Sequence, residues 1–366
     1  MTVPDITLMF TGDLVLDVPD ADYWLSGIAS ALRTADVAIG HLEVPHTLSV
    51  HAMAGDVPAP GAPPENLASL KRAGFTAVTL AGNHIADCGP EGIADTRAGL
   101  ERVGVLHTGA GKDLNEAARP VIIERSGRRI ALLSYNLVGP EIAWAGEGRA
   151  GCNYLRVETA DGSAIAPAAA LERFNDHQRL AEDIAAVEAD LVVVALHKGI
   201  VHTPARLAPY ERPAAQAAID AGADIVIGHH PHIARGIEIY KGKPIFHGLG
   251  NGCVVTHALS PGQDNPARAA WVERRKALFG FEPDPEYTLA PFHPEAVNAL
   301  IGKVVWRADG QLETGFLPVF IEPPGRPVLA TGERAQAVTR YIADITVRAG
   351  LPVLDFTAGA REVAVA

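Results

Sequence analysis

From its first residues the chain alternates short apolar runs with segments whose apolar side chains recur at helical spacing, the pattern of a layered α/β fold. Strands are predicted over Ile6–Thr11, Val37–Ile39, Ala77–Leu80, Val121–Glu124 and Ile130–Tyr135. Helices are predicted over Glu65–Arg72, Glu91–Arg102 and Leu171–Val187, with Gly74 and Gly104 where helix C-caps fall. Further on, Leu191–Leu196 and Asp224–Ile227 read as buried strands separated by a helical Arg212–Ala221. Gly236–Tyr240 and Pro244–His247 read as a hairpin around Lys241-Gly242-Lys243.

The stretch Thr256–Pro294 is rich in Pro, Arg, aromatics and mixed charge and has no clear period, so it reads as an insertion or lid-like excursion. Val304–Arg307 and Gln311–Phe320 then predict a hairpin turning at Asp309-Gly310, followed by a helix near Glu333–Arg348. The expected organisation is a core over 1–255, an inserted segment over 256–298, and C-terminal strands, helix and tail over 299–366.

Composition bounds the partners. Of 366 residues, 48% are hydrophobic and 20% charged, which is enough apolar material for a sizeable core. The net charge of −12 is spread along the chain and argues against a nucleic-acid surface. Cys88, Cys152 and Cys253 form no CxxC pair, so neither a disulfide framework nor a zinc knuckle is indicated. No export signal is evident, and no apolar stretch reaches the roughly 18 to 20 residues that span a bilayer. The expectation is a cytoplasmic protein without a membrane anchor; the sequence is silent on its oligomeric state.

Polar residues fall at the ends of the apolar runs. Asp13 follows Leu8–Gly12, His41 and Glu43 follow Val37–Gly40, and Asn83 and His84 follow Val78–Gly82. His197 follows Val192–Leu196, and His229, His230 and His232 follow Ile225–Gly228. In open α/β sheets the crevice beyond the carboxyl ends of strands is the usual ligand site, so these groups are placed to converge. Gly12-Asp13 alone is a common strand-to-turn pair. The cluster His229-His230-Pro231-His232 is harder to explain without a ligand, because adjacent imidazoles repel when protonated. Carboxylates, imidazoles and an amide oxygen suit two borderline divalent ions, manganese, zinc, iron or nickel.

In its order and spacing this series resembles the CapA (poly-γ-glutamate capsule synthesis) family within the calcineurin-like metallophosphatase superfamily, over roughly residues 6 to 252. The resemblance implies a four-layer α/β/β/α sandwich, here with a C-terminal insertion and a hairpin–helix extension. It implies that Asp13 and His232 hold a first metal, that Asn83, His197 and His230 hold a second, and that Glu43 bridges them. It further implies that His84 moves a proton or polarises the substrate, oriented by Asp87, and that Asn251 in Gly248-Leu249-Gly250-Asn251 lines the site.

Departures from the family pattern stand at Val15, where the wider superfamily has a histidine, and at His41, Lys198 and His247, where the family generally has Asn, Trp and Ser. His41 reads as an extra ligand or an acid–base group, and His202 as a second proton-transfer candidate. Lys198, Arg206 and His247 read as contacts to an anionic substrate. The functional expectation is a hydrolase acting on a small or peptide-like anionic substrate. Two alternatives remain open: peptide Cα epimerisation, which the resemblance associates with a CapA-like branch of lasso-peptide pathways, and a non-catalytic accessory role in polymer synthesis.

Overall fold

The structure is a computed structural model that describes residues 4–54, 58–159, 171–260, 262, 264–359 and 361–366. In chain order the first elements are β1 (Ile6–Leu16), α1 (Ala21–Leu32), β2 (Val37–Leu42), α2 (Leu67–Ala73), β3 (Ala77–Thr79), α3 (Gly89–Val103) and β4 (Leu106–Thr108). Then come β5 (Ala110–Gly111), α4 (Leu114–Ala117), β6 (Val121–Arg125), β7 (Arg128–Asn136), β8 (Gly151–Cys152), β9 (Val157–Thr159) and β10 (Leu171–Phe174). The middle of the chain forms α5 (His177–Ala185), β11 (Leu191–His197), α6 (Glu211–Asp220), β12 (Ile225–His229), β13 (Ile237–Tyr240), β14 (Lys243–Phe246) and β15 (Asn251–Val255). The last part forms α7 (Pro266–Phe279), β16 (Asn298–Trp306), β17 (Leu312–Glu322), β18 (Arg326–Leu329), α8 (Gly332–Arg348), β19 (Phe356–Ala358) and β20 (Val363–Val365).

Two mixed sheets dominate. A ten-stranded sheet runs β19-β20-β17-β16-β1-β2-β3-β4, with β15 added to β1 and β18 to β17; a six-stranded sheet runs β13-β14-β12-β11-β7-β6. β1 is parallel to β2 and β15, and β11 is parallel to β7 and β12. The strands read as continuous apolar runs because both faces of each sheet are covered. In β1, Ile6, Leu8 and Phe10 join Val193, Ala195, Ile225 and Ile227 of the other sheet in one core. Met9, Leu14 and Leu16 of the same strand instead meet Leu25, Ile28, Leu70 and Leu100 of α1, α2 and α3. On the far side, Val192, Val194 and Leu196 meet Leu180, Ile184, Ala214 and Ala218 of α5 and α6. Leu14 and Leu16 reach the face of Met9 because the register of β1 shifts between Phe10 and Asp13, and the covered faces of the two sheets build four layers, helix, sheet, sheet and helix.

The α1 helix was absent from the sequence reading, and one predicted helix is corrected. Over Leu171–Val187 only His177–Ala185 is helical, while Leu171–Phe174 pairs antiparallel with β9. The break has a local cause: Asp176 accepts the Arg156 backbone N–H at 2.7 Å, tying the chain back to the start of β9. The Thr256–Pro294 stretch contains the helix α7. The hairpin predicted from Val304 onward is longer than expected, and its first strand, β16, lies directly beside β1 in the large sheet. Among the described residues, no helix is long and apolar enough to cross a membrane. Cys88, Cys152 and Cys253 are free and buried.

Candidate metal centre

Parallel strands from both sheets end at one place. Asp13 on β1 stands in register with His41 on β2 and with Asn251 on β15, while His197 on β11 stands in register with His229 on β12. Gly12 makes the meeting with β15 possible: a Cβ there would lie 1.7 Å from the Gly250 carbonyl oxygen, and the Asp13 N–H donates to that same oxygen at 3.1 Å. After β12 the backbone turns through left-handed angles at His230 (φ 94°) and His232 (φ 55°). Non-glycine residues adopt such angles at a cost that surrounding structure must hold in place.

Three overlapping groups bring ligand atoms within 4.8 Å of one another: Asp13, His41 and His197; Glu43, His197 and His230; and Asp13, Glu43 and His232. Glu43 is shared by two of them. His197 Nε2 lies 2.7 Å from Asn83 Oδ1 and 3.1 Å from His230 Nδ1. His232 Nε2 lies 3.3 Å from Glu43 Oε1, and His232 Nδ1 lies 3.0 Å from Asn251 Oδ1. The His230 N–H points at the Asp13 carboxylate, 3.2 Å from Oδ2.

The donor set fits metal ions. Glu43 Oε2, His41 Nε2 and His197 Nδ1 are buried without a hydrogen-bond partner and Glu43 Oε1 has only the 3.3 Å approach of His232 Nε2, an expensive arrangement for polar atoms. The electrostatics agree. Burial and the Glu43 charge raise the Asp13 carboxyl well above its ordinary range. Burial also opposes a charge on Glu43, yet the neighbouring His232 outweighs it and holds that carboxyl below its ordinary range. His232 is pushed up to about 9 against its own burial, by the Glu43 and Asp13 charges. Burial and the neighbouring imidazole drive His230 down to about 3. These shifts concentrate the charge of the cluster on one pair, the Glu43 carboxylate and the His232 imidazolium.

Above the cluster opens a cavity of about 190 Å³ whose wall includes Glu43, Asn83, His84, His202, His230 and His232. His84 Nδ1 lies 2.7 Å from Asp87 Oδ2, and the same oxygen accepts the Ala59 N–H at 2.6 Å, so a fixed carboxylate orients the imidazole. His202 packs beside His232 and against Phe279, Phe281 and Phe292.

Five expectations change. Lys198 does not line the cavity: its ammonium is fully buried, 3.0 Å from Glu211 Oε2 and 3.2 Å from the His247 carbonyl. His247 is also fully buried, bonded through Nε2 to Glu238 Oε2 at 3.0 Å. Arg206 is exposed, and its carbonyl accepts from the buried Arg235 guanidinium. Asn251 holds His232 and does not line the cavity. His41 is buried behind the cavity, bonded through Nδ1 to Thr79 Oγ1 at 2.9 Å and stacked between His197 and His229, which suits a ligand or a support and not an exposed acid–base group.

Sequence reasoning missed Asp17, Thr256, Arg268, Trp271, Phe279 and Phe292, all on the cavity wall. Asp17 had a signal: Asp13, Val15 and Asp17 share one side of an extended strand end by period two. The α7 residues had none, because their helix faces a cavity instead of an apolar layer.

The fold and the cluster define an α/β protein with a candidate metal centre at the ends of two facing sheets. The chain belongs to the family described as "Bacterial capsule synthesis protein PGA_cap", which it matches over residues 7–254. It is 28% identical to the capsule biosynthesis protein CapA of Bacillus anthracis, across 67% of this chain and 59% of that protein. It is 29% identical to the PGA biosynthesis protein CapA of Bacillus subtilis, across 67% of this chain and 62% of that one. The chain thus spans less than two thirds of either relative. Among solved structures it is similar to the calcineurin-like phosphoesterase YfkN of Bacillus subtilis, with 14% identity, a TM-score of 0.39, and 94% of this chain and 98% of that one covered. At that overlap nothing about this chain rests on the likeness.

Proposed function

We propose that this chain is a metal-dependent hydrolase acting on a small or peptide-like anionic substrate, at a phosphoester or an amide bond. The observation that carries this reading is the shared position of Glu43 between two ligand groups, Asp13 with His232 and His197 with His230, at the floor of an open cavity. Asn83, in contact with His197, completes the second group. Two divalent ions held there, of manganese, zinc, iron or nickel, would lower the pKa of a bound water and draw charge from a developing oxyanion.

The remaining work falls to the protein. His84, fixed by Asp87 on the cavity wall, is placed to carry a proton to or from the substrate. The apolar wall formed by Val15, Val44, Val138 and Val201 lowers the local polarity and so strengthens the polar contacts beneath it. Nothing about the cavity suits nucleic acid, since its lining is mainly apolar.

The deciding experiment is elemental analysis by mass spectrometry with a parallel screen of an aryl phosphodiester, an aryl phosphomonoester and γ-glutamyl peptides, following deuterium uptake in the peptides. Close to two metals per chain with hydrolytic turnover supports the hydrolase. Deuterium uptake without cleavage replaces it with the epimerase, and protein that cannot be loaded with metal removes both.

A further inference from the structure

The helix α7 supplies the far wall of the cavity. Arg268, Trp271 and Phe279 all line it, and their spacings of three and eleven residues put them on one helical face. Trp271 and Phe279 touch edge to face, with ring centroids 5.3 Å apart, and both are half-buried. Among the described residues Arg268 is the only lysine or arginine on the cavity wall. The charge of Arg268 acts on the Asp17 carboxyl of the same wall, and its Nε is buried without a hydrogen-bond partner. Asp17 stands on the same wall, where its Oδ2 accepts from Thr256 Oγ1 at 2.6 Å.

We infer that this face is the substrate-selecting end of the cavity, where Arg268 binds a carboxylate on the substrate and Trp271 with Phe279 holds an apolar body next to it. The inference rests on the hydrolase reading only in placing the reacting bond at the metal end. A guanidinium in an apolar surround gains most from a planar oxyanion that takes two parallel hydrogen bonds. A monoanionic carboxylate matches one guanidinium in charge, whereas a phosphate dianion would bring an excess negative charge toward Asp17 and a larger desolvation cost. The aromatic pair sets the apolar half of the preference, since flat rings bury large area at small conformational cost. Arg268 thus takes the anion-reading part that adjacency in sequence had suggested for Lys198.

The test is calorimetric titration of the metal-loaded, full-length protein with 4-phenylbutyrate and with its uncharged carboxamide. The wild-type protein is expected to bind the carboxylate about ten-fold more tightly or better, as a charge-assisted pair implies. Arg268→Gln should erase that preference, Arg268→Lys should keep part of it, and Trp271→Ala should weaken both ligands alike. Equal affinities in the wild type, no binding of the carboxylate at millimolar concentration, or a preference that survives Arg268→Gln overturns the inference. Because the readout is heat and not turnover, loss of the hydrolase reading would leave this result standing. Turnover insensitive to Arg268→Gln would remove the inference alone.

Discussion

Lys198 Nζ lies 3.0 Å from Glu211 Oε2, and neither side chain is exposed to solvent. Burial lowers the lysine from its ordinary range; it opposes the Glu211 charge as well, but Lys198 and the nearby Arg235 hold that carboxyl low. The pair fastens the loop after β11 to the start of α6. Removing Lys198 leaves the buried Glu211 with only Arg235 and the Ala208 N–H to balance its charge, so Lys198→Met should cost about 3 kcal/mol. Urea unfolding will read that loss. At temperatures where the variant stays folded, its KM for an acidic substrate should equal that of the wild type, and a selective rise in KM would restore an anion-binding part to Lys198.

The candidate metal ligands can be separated from their supports by metal content. Asp13→Asn and His230→Ala each remove a donor from a different ligand group and should lower bound metal to about half or less. Since an ion bound only by the folded state adds roughly 2.7 kcal/mol at a hundred times its Kd, the wild type should melt several degrees higher with metal than with chelator. Both variants should lose most of that difference. Asp13→Asn melting with an undiminished metal-dependent shift would show that β1 does not supply a ligand.

Much of this site was legible because an apolar run followed by a polar residue marks a strand end, and strand ends in parallel sheets converge. Asp13, Glu43, Asn83, His197, His230 and His232 fall together for that reason. Adjacency along the chain misled where side-chain direction mattered. Lys198 directly follows His197 at the end of an extended strand, so it turns to the opposite side and enters the layer beneath. His247 ends up bonded to Glu238 of the neighbouring strand β13 for a reason no local pattern displays. The helix α7 escaped because the usual sign of a helix is an apolar stripe toward the core, and this one turns Arg268 and Trp271 to a cavity.

Asp17 gives the site a pH signature separate from the ligands. Burial lifts its carboxyl from 3.8 to about 6, against the opposing hydrogen bond from Thr256. A raised carboxyl favours folding fully below the unfolded pKa, and that contribution is lost as pH rises through about 4 to 6. Above pH 7 the buried charge therefore costs the fold about 2–3 kcal/mol. Asp17→Asn, which keeps an oxygen for Thr256, should raise the melting temperature at pH 8 in chelator, and the gain should shrink toward zero near pH 4. A gain independent of pH would mean that Asp17 is not ionised in the folded protein.

His84 and Asp87 offer the sharpest separation of chemistry from metal binding. The Asp87 carboxylate is fully buried, and the 2.7 Å contact to His84 Nδ1 fixes which ring nitrogen carries a proton and how the imidazole meets the cavity. Asp87→Asn preserves size and the contact to the Ala59 N–H but weakens that hold, so kcat should fall by about 10- to 100-fold. Metal content should stay at the wild-type value, because neither residue belongs to the three ligand groups. His84→Ala should lower kcat at least as far, and the double variant should be no worse than His84→Ala alone, since Asp87 acts only through the imidazole. Additive losses in that cycle, or a fall in metal content with Asp87→Asn, would place Asp87 in a different task from orienting His84.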